Sequence, residues 1–376
     1  MARFISLVLV LIAISIASFA LWMRAGDDVA DLSEAEIEAA RASGSGARAI
    51  ELEAGDESAP LPTLAALREM VDRAAVDGVL TQIEESLASA TGEERGLLTV
   101  LLAECNRLKG DLDRAFELAE AGVELLPGNS QAHFILAETI MARVVREAET
   151  GGLSAMVGAL DDVKRYQSEL AAAVALDPAN VDARVRQIIV YAFGPWPIGN
   201  KKKARGLIEE LGEFDAFRRD FWKVQLLVGD DDRIDEALAG FRALQVDQPD
   251  DPDVIYNVGE LLAKKDDHEA AAAEFDRLVE QPRNQRSFQA MYQASKARSS
   301  GGFELERALA DLDEYEVARP LGDLMPSLAR VAYHRGNVLA KLDREGEARA
   351  AYERSLELDP DRERVKQALE ALGSSD

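Results

Sequence analysis

The sequence predicts an all-α protein built as a tandem array of helical hairpins. Three observations carry this reading. Ala, Leu, Glu, Asp and Arg dominate the 376 residues, with 26 glycines, 12 prolines and 6% aromatics, a composition that favours helix. Six prolines, Pro127, Pro178, Pro249, Pro282, Pro320 and Pro360, each close a helical stretch, and the last four stand 33, 38 and 40 residues apart. Ahead of these prolines recurs a stripe of small and large apolar residues at helical spacing.

The chain opens on Met1-Ala2-Arg3 and then runs uncharged from Phe4 to Met23. As a helix that run spans about 30 Å, the thickness of a bilayer's hydrocarbon core. Trp22 sits where an interfacial aromatic belongs. The run exceeds the apolar core of a cleaved signal peptide, so residues 1–24 are expected as a single-pass transmembrane anchor. Ser18-Phe19-Ala20 leaves cleavage open as the alternative. Arg3 before the run, and Asp27, Asp28 and Asp31 after it, favour an inner-membrane protein whose body faces the periplasm or exterior. Residues 25–60 hold ten acids against Arg41 and Arg48. Such a segment buries too little apolar surface to order itself and is expected as a disordered acidic linker. Residues 61–94 then read as a helical hairpin capping the start of the array.

The last unit of the array is the clearest. Gly336 marks a close approach between its two helices, Leu339 follows three later, and Ala348, Tyr352 and Ser355 share one face of the second helix. Leu358-Asp359-Pro360 closes the unit. Earlier units repeat the scheme with Ala115, Ala119 and Gly122; with Ala237, Phe241 and Leu244; with Gly259, Ala271, Phe275 and Leu278; and with Ala308, Leu312 and Tyr315. These spaced positions resemble the tetratricopeptide repeat (TPR), a helix–turn–helix unit of about 34 residues. The resemblance covers roughly residues 95–361 and implies a TPR-type α-solenoid of seven to eight hairpins, similar to membrane-anchored bacterial envelope TPR proteins. It also implies a concave face, lined by the first helix of each hairpin, where partners bind. Two places depart from the pattern: a break at Gly151-Gly152, and an inserted turn between Phe193 and Asn200. Residues 362–376 read as an amphipathic capping helix and tail.

Composition narrows the function. A net charge of −26 disfavours nucleic acid as a partner. The single Cys105 excludes an intramolecular disulfide, and one Cys with His133, His268 and His334 makes a zinc site improbable. No HExxH, Walker loop, GxSxG or CxxC motif is present, so neither an enzyme nor a cofactor protein is expected. Asp230–Asp232 and Asp250-Asp251 lack calcium-loop spacing and read as solvated turns.

Against the acidic background, residues 183–206 carry Arg184, Arg186, Lys201, Lys202, Lys203 and Arg205 with no acid. Residues 281–303 do the same with Arg283, Arg286, Lys296 and Arg298, and the last first-helix adds Arg330 and Lys341. If these residues line the inner face, they form a basic groove for a protein or an acidic peptide. Asn337 and Lys341, one turn apart, loosely resemble the TPR carboxylate clamp. The alternative is that these cations pair with acids on adjacent helices. Trp196, between two prolines and beside three lysines, is a further contact candidate; otherwise it plugs the neighbouring hairpin. The reading is a membrane-anchored scaffold that binds protein partners, in cell-envelope assembly. The alternative is a periplasmic small-ligand or transporter-associated binding protein with a cavity near Trp196.

Overall fold

The computed structural model describes residues 61–150, 153–194, 198–322 and 325–373, without the side chains of 148–150, 153–160, 231 and 373. The expected anchor, the acidic linker and Trp196 lie outside the described residues. Within them are seventeen α-helices and no strand. None of these helices is long and apolar enough to cross a membrane.

Two units divide the chain. Unit 1 comprises residues up to Glu69 together with Arg73–Arg233. It holds α1 (Leu64–Arg68), α2 (Arg73–Leu87), α3 (Gly92–Lys109), α4 (Leu112–Leu125), α5 (Ser130–Thr150), α6 (Leu153–Leu176), α7 (Val181–Phe193), α8 (Lys201–Leu211) and α9 (Ala216–Val228). Unit 2 comprises Met70–Asp72 together with Ile234 onward. It holds α10 (Ile234–Asp247), α11 (Pro252–Lys264), α12 (His268–Val279), α13 (Gln285–Gly301), α14 (Leu305–Ala318), α15 (Leu328–Lys341), α16 (Glu345–Leu358) and α17 (Glu363–Gly373). Helix pairs follow one another as α3–α4, α5–α6 and α7–α8 in unit 1 and as α11–α12, α13–α14 and α15–α16 in unit 2.

The helix starts follow from short polar residues that satisfy orphan backbone N–H groups. Asp111, Asn180, Asn200, Asp215, Asp267 and Ser327 each accept from a backbone amide of the first turn. Asn284 forms a reciprocal capping box with Ser287. Asp251 accepts from the amides of Asp253 and Val254, with Pro252 at the first helical position. The Asp250-Asp251 pair is therefore a turn and a cap.

The spaced positions of the sequence are the buried ones. Ala115, Ala237, Phe241, Ala271, Ala308, Leu312 and Ala348 are all fully buried, and Phe275, Tyr315 and Tyr352 nearly so. Two glycines let aromatic rings approach the first helix. A Cβ on Gly259 would stand 2.6 Å from the Phe275 ring, and one on Gly336 would stand 2.4 Å from the Tyr352 ring. No side chain larger than hydrogen fits there without displacing the ring.

Residues 61–94 correct the expectation of a capping hairpin. α1 has only five residues and packs on α3, and α2 also packs on α3, so the two do not close on each other. The physical reason is length: five residues make little more than one turn, and α3 takes up its packing face. The residues between them, 70–72, belong to unit 2, where Val71 joins the core with Phe288, Tyr292, Leu312 and Tyr315. There the Leu321 N–H donates to the Val71 carbonyl at 2.9 Å.

Candidate functional site

In unit 1 the first helices of three successive hairpins, α3, α5 and α7, converge on one side chain, Arg68 of α1. Its Nη1 donates to Asp182 Oδ2 of α7 at 2.6 Å. Its Nε stands 3.9 Å from Glu104 Oε1 of α3. The guanidinium lies 4.4 Å from the centroid of the Phe134 ring of α5. A planar cation fits this place because carboxylates take its edge while an aromatic face takes its plane. Leu67, beside it, is fully buried. Thr63 caps α1 by accepting from the Ala66 amide at 3.2 Å. Glu104 is fully buried and also takes both Nε and Nη2 of Arg107, at 2.7 and 2.6 Å.

Neighbouring residues tie the same helices together. Arg186 of α7 donates to Glu138 of α5 at 2.5 Å, and both are buried. Burial, and the Glu138 charge beside it, push the Tyr166 hydroxyl up. Arg184 donates from Nε to the Pro178 carbonyl at 2.6 Å and lies 4.2 Å from the Phe214 ring centroid. Thus Arg184 and Arg186 cross-link helices, with little of either surface left for a ligand.

The lysines at the start of α8 differ. Lys201, Lys202, Lys203 and Arg205 are all exposed. Lys203 donates to the Tyr191 hydroxyl at 2.6 Å and lies 3.9 Å from that ring's centroid. Three cations in the first turn stand against the positive end of the helix dipole.

In unit 2, Arg286 of α13 pairs with Asp253 of α11, both buried, and lies 4.4 Å from the Tyr256 ring centroid. Arg298, fully buried, is shared by Asp276 at 2.6 Å, Glu304 at 3.0 Å and Asp311 at 3.2 Å. Burial raises Asp311 to about 6, and the neighbouring Asp276 charge acts in the same direction against Arg298. The Arg298 hydrogen bond holds Glu304 below the usual carboxylate range. Arg330 is buried, 5.6 Å from the Tyr292 ring centroid. Asn337 accepts from the Tyr352 hydroxyl at 2.8 Å, and Lys341 donates to the Ser299 carbonyl. Asn337 and Lys341 are thus engaged within unit 2 rather than set as an open clamp.

Arg68 and Leu67 were not among the residues singled out from the sequence. The one signal for them was Pro62-Thr63, a capped entry into a helix too short to be an ordinary repeat element. Among the described residues no group of His, Cys, Asp and Glu is placed to hold a metal ion. Cys105 is fully buried, and burial pushes its thiol up to about 12, which removes its nucleophilic form at neutral pH.

Comparison with known proteins follows this geometry. Residues 329–362, the α15–α16 hairpin with its closing turn, match the family model described as tetratricopeptide repeat. A search of curated proteins finds no match. Among solved structures, the human IFIT1 dimer with m7Gppp-AAAA is similar at a TM-score of 0.53 and 13% identity, covering 80% of this chain and 69% of that one. The APC/C hetero-tetramer Cut9-Hcn1 matches at 0.49 and 12% identity, covering 82% of this chain; this chain spans about half, 54%, of that one. PilW, a type IV pilus biogenesis factor, matches at 0.43 and 16% identity, covering 62% of this chain and 98% of that one. Identities this low show a shared fold alone, and only the IFIT1 likeness is close enough to carry that. The chain is an array of helical hairpins that carries a tetratricopeptide repeat at residues 329–362.

Proposed function

We propose that this chain is a scaffold that binds protein partners along the face lined by the first helices of its hairpins. A tetratricopeptide-type array suits such a role because successive hairpins repeat one surface at a fixed pitch. The observation that carries the reading is the seat of α1. One face of α3, α5 and α7 holds a short piece of polypeptide from outside those hairpins, by a buried leucine and a cation set between two acids and an aromatic ring. Helix-in-groove recognition uses the same elements.

The finer parts of the proposal rest on the sequence. Residues 1–24 tether the chain to the inner membrane, the body faces the periplasm or exterior, and the role is envelope assembly without catalysis. A chain of net charge −26 offers nucleic acid little attraction. An acidic segment of a partner binds at the exposed cluster Lys201, Lys202, Lys203 and Arg205, whose first-turn lysines oppose their own helix dipole.

Capture from envelope membranes with the purified full chain tests this, using mass spectrometry to identify what is held. The expected result is a discrete protein, with an acidic one lost when Lys202 and Lys203 are changed to Glu or when salt is raised. Recovery of a bound small molecule and no protein would contradict the scaffold.

A further inference from the structure

We infer that the face of α3, α5 and α7 is a docking site for an arginine-bearing helical segment of a protein partner, and that residues 63–68 occupy this site in cis. The inference rests on the scaffold reading and names the chemistry of its partner.

First, the seat is selective for Arg. Asp182 takes an edge nitrogen at 2.6 Å, Glu104 stands 3.9 Å from Nε, and the plane faces Phe134 at 4.4 Å. A lysine ammonium has no plane to lay on the ring and no fork for two carboxylates. The net charge of −26 on the whole chain adds a long-range preference for a cationic partner.

Second, the face does not need α1 to neutralise its most buried acid. Glu104 already holds Arg107 through two hydrogen bonds. A different guanidinium can therefore replace Arg68 while the hairpins keep their own pairing.

Third, α1 behaves as a ligand. Five residues are far below the roughly 12–15 that make an isolated helix even marginal in water. Its capping hydrogen bond, Thr63 on Ala66, is a long 3.2 Å. Its helical form depends on the face beneath it, so it folds on docking and loses that form on release.

Fourth, its place is one that a connecting segment has no need to take. α1 and α2 are not paired with each other, and α1 lies on the first-helix side of unit 1. Residues 70–72 keep their own hold in unit 2 through Val71, so α1 can lift without freeing the rest of the segment.

The test uses the full chain and a fluorescent peptide with the sequence of residues 61–69. Arg68→Glu places a carboxylate against Glu104 and Asp182 and should empty the site. The Arg68→Glu chain is expected to bind the peptide about tenfold or more tighter than the unchanged chain, whose own segment competes at an effective concentration in the millimolar range. Replacing the peptide's arginine by alanine should weaken binding about tenfold, since a charge-assisted pair is lost. Adding Asp182→Arg to the Arg68→Glu chain should shift its preference to a peptide carrying Glu in place of that arginine. Equal binding by both chains, binding by neither, or indifference to the peptide's arginine overturns the inference. Should Arg68→Glu unfold, amide exchange on the unchanged chain decides: saturating peptide should speed exchange at residues 64–68, and no change overturns the inference. A concentration-dependent dimer dissolved by the peptide would make a second copy the occupant and overturn the assignment to a partner. Equal capture of envelope protein by the Arg68→Glu and unchanged chains, with no peptide binding, removes this inference and leaves the scaffold. Peptide binding without any captured protein does the reverse.

Discussion

Arg186 shows what one residue contributes and why sequence alone misplaces it. It lies in a run without acids, so it counts as surplus positive charge in the sequence. Its partner, Glu138, is 48 residues away on α5, and only the stacking of hairpins brings the two together. Arg298 is the same case, with Asp276, Glu304 and Asp311 drawn from α12 and from the start and body of α14. The exposed lysines of α8 were legible because lysine is almost never fully buried without a partner, and no acid stands between residues 183 and 206. For the buried pair, Glu138→Leu or Arg186→Leu alone should cost about 3–5 kcal/mol by leaving an unpaired buried charge. The double replacement should cost markedly less, and chemical denaturation of the three variants checks the difference. Around Arg298 the pH dependence has a defined sign. Asp311 is raised in the folded state to about 6, so between the unfolded value near 4 and 6 the native state binds the extra proton. Its contribution to stability therefore rises as pH falls from 7 towards 5. Glu304 and Glu274 are lowered, so theirs is lost only below the unfolded range near 4. Melting of Asp311→Asn, flat between pH 7 and 5 where the unchanged chain gains stability, is the expected outcome.

At the scale of elements, the repeat was readable because packing imposes it. Each second helix must bury a small–large–small stripe, and each first helix must be small where the ring arrives. Gly336→Ala should destabilise unit 2 by about 1–3 kcal/mol, because the Tyr352 ring is buried and its hydroxyl is held by Asn337. Phe275→Ala should cost about 3–5 kcal/mol by leaving a cavity against Gly259. Thermal melts read both. α1 was not legible as an element apart from a hairpin. Its Leu64, Leu67 and Arg68 carry no periodicity over five residues, and their partners Glu104, Phe134 and Asp182 lie 36 to 114 positions on. Capping residues, by contrast, act within three positions, and the sequence shows them directly.

Across the whole molecule, stability in an array is a sum of units and of the interfaces between neighbours. Removing α16 and α17 should lower the stability of the adjacent hairpins progressively while α3–α8 keep their helicity. Circular dichroism and amide exchange would show this, and a single sharp loss of all helicity would count against an array. The claim that matters most is that the first-helix face receives protein. Met141 lies two turns beyond Phe134 on α5 and is half-exposed, whereas Lys164 on the second helix α6 is exposed. A photoreactive residue placed in turn at each position of the full chain, in cells that express it, tests the claim most directly. A discrete protein adduct from position 141 that is absent from position 164 is the predicted result. No adduct at 141, or the same adducts from both positions, would contradict it.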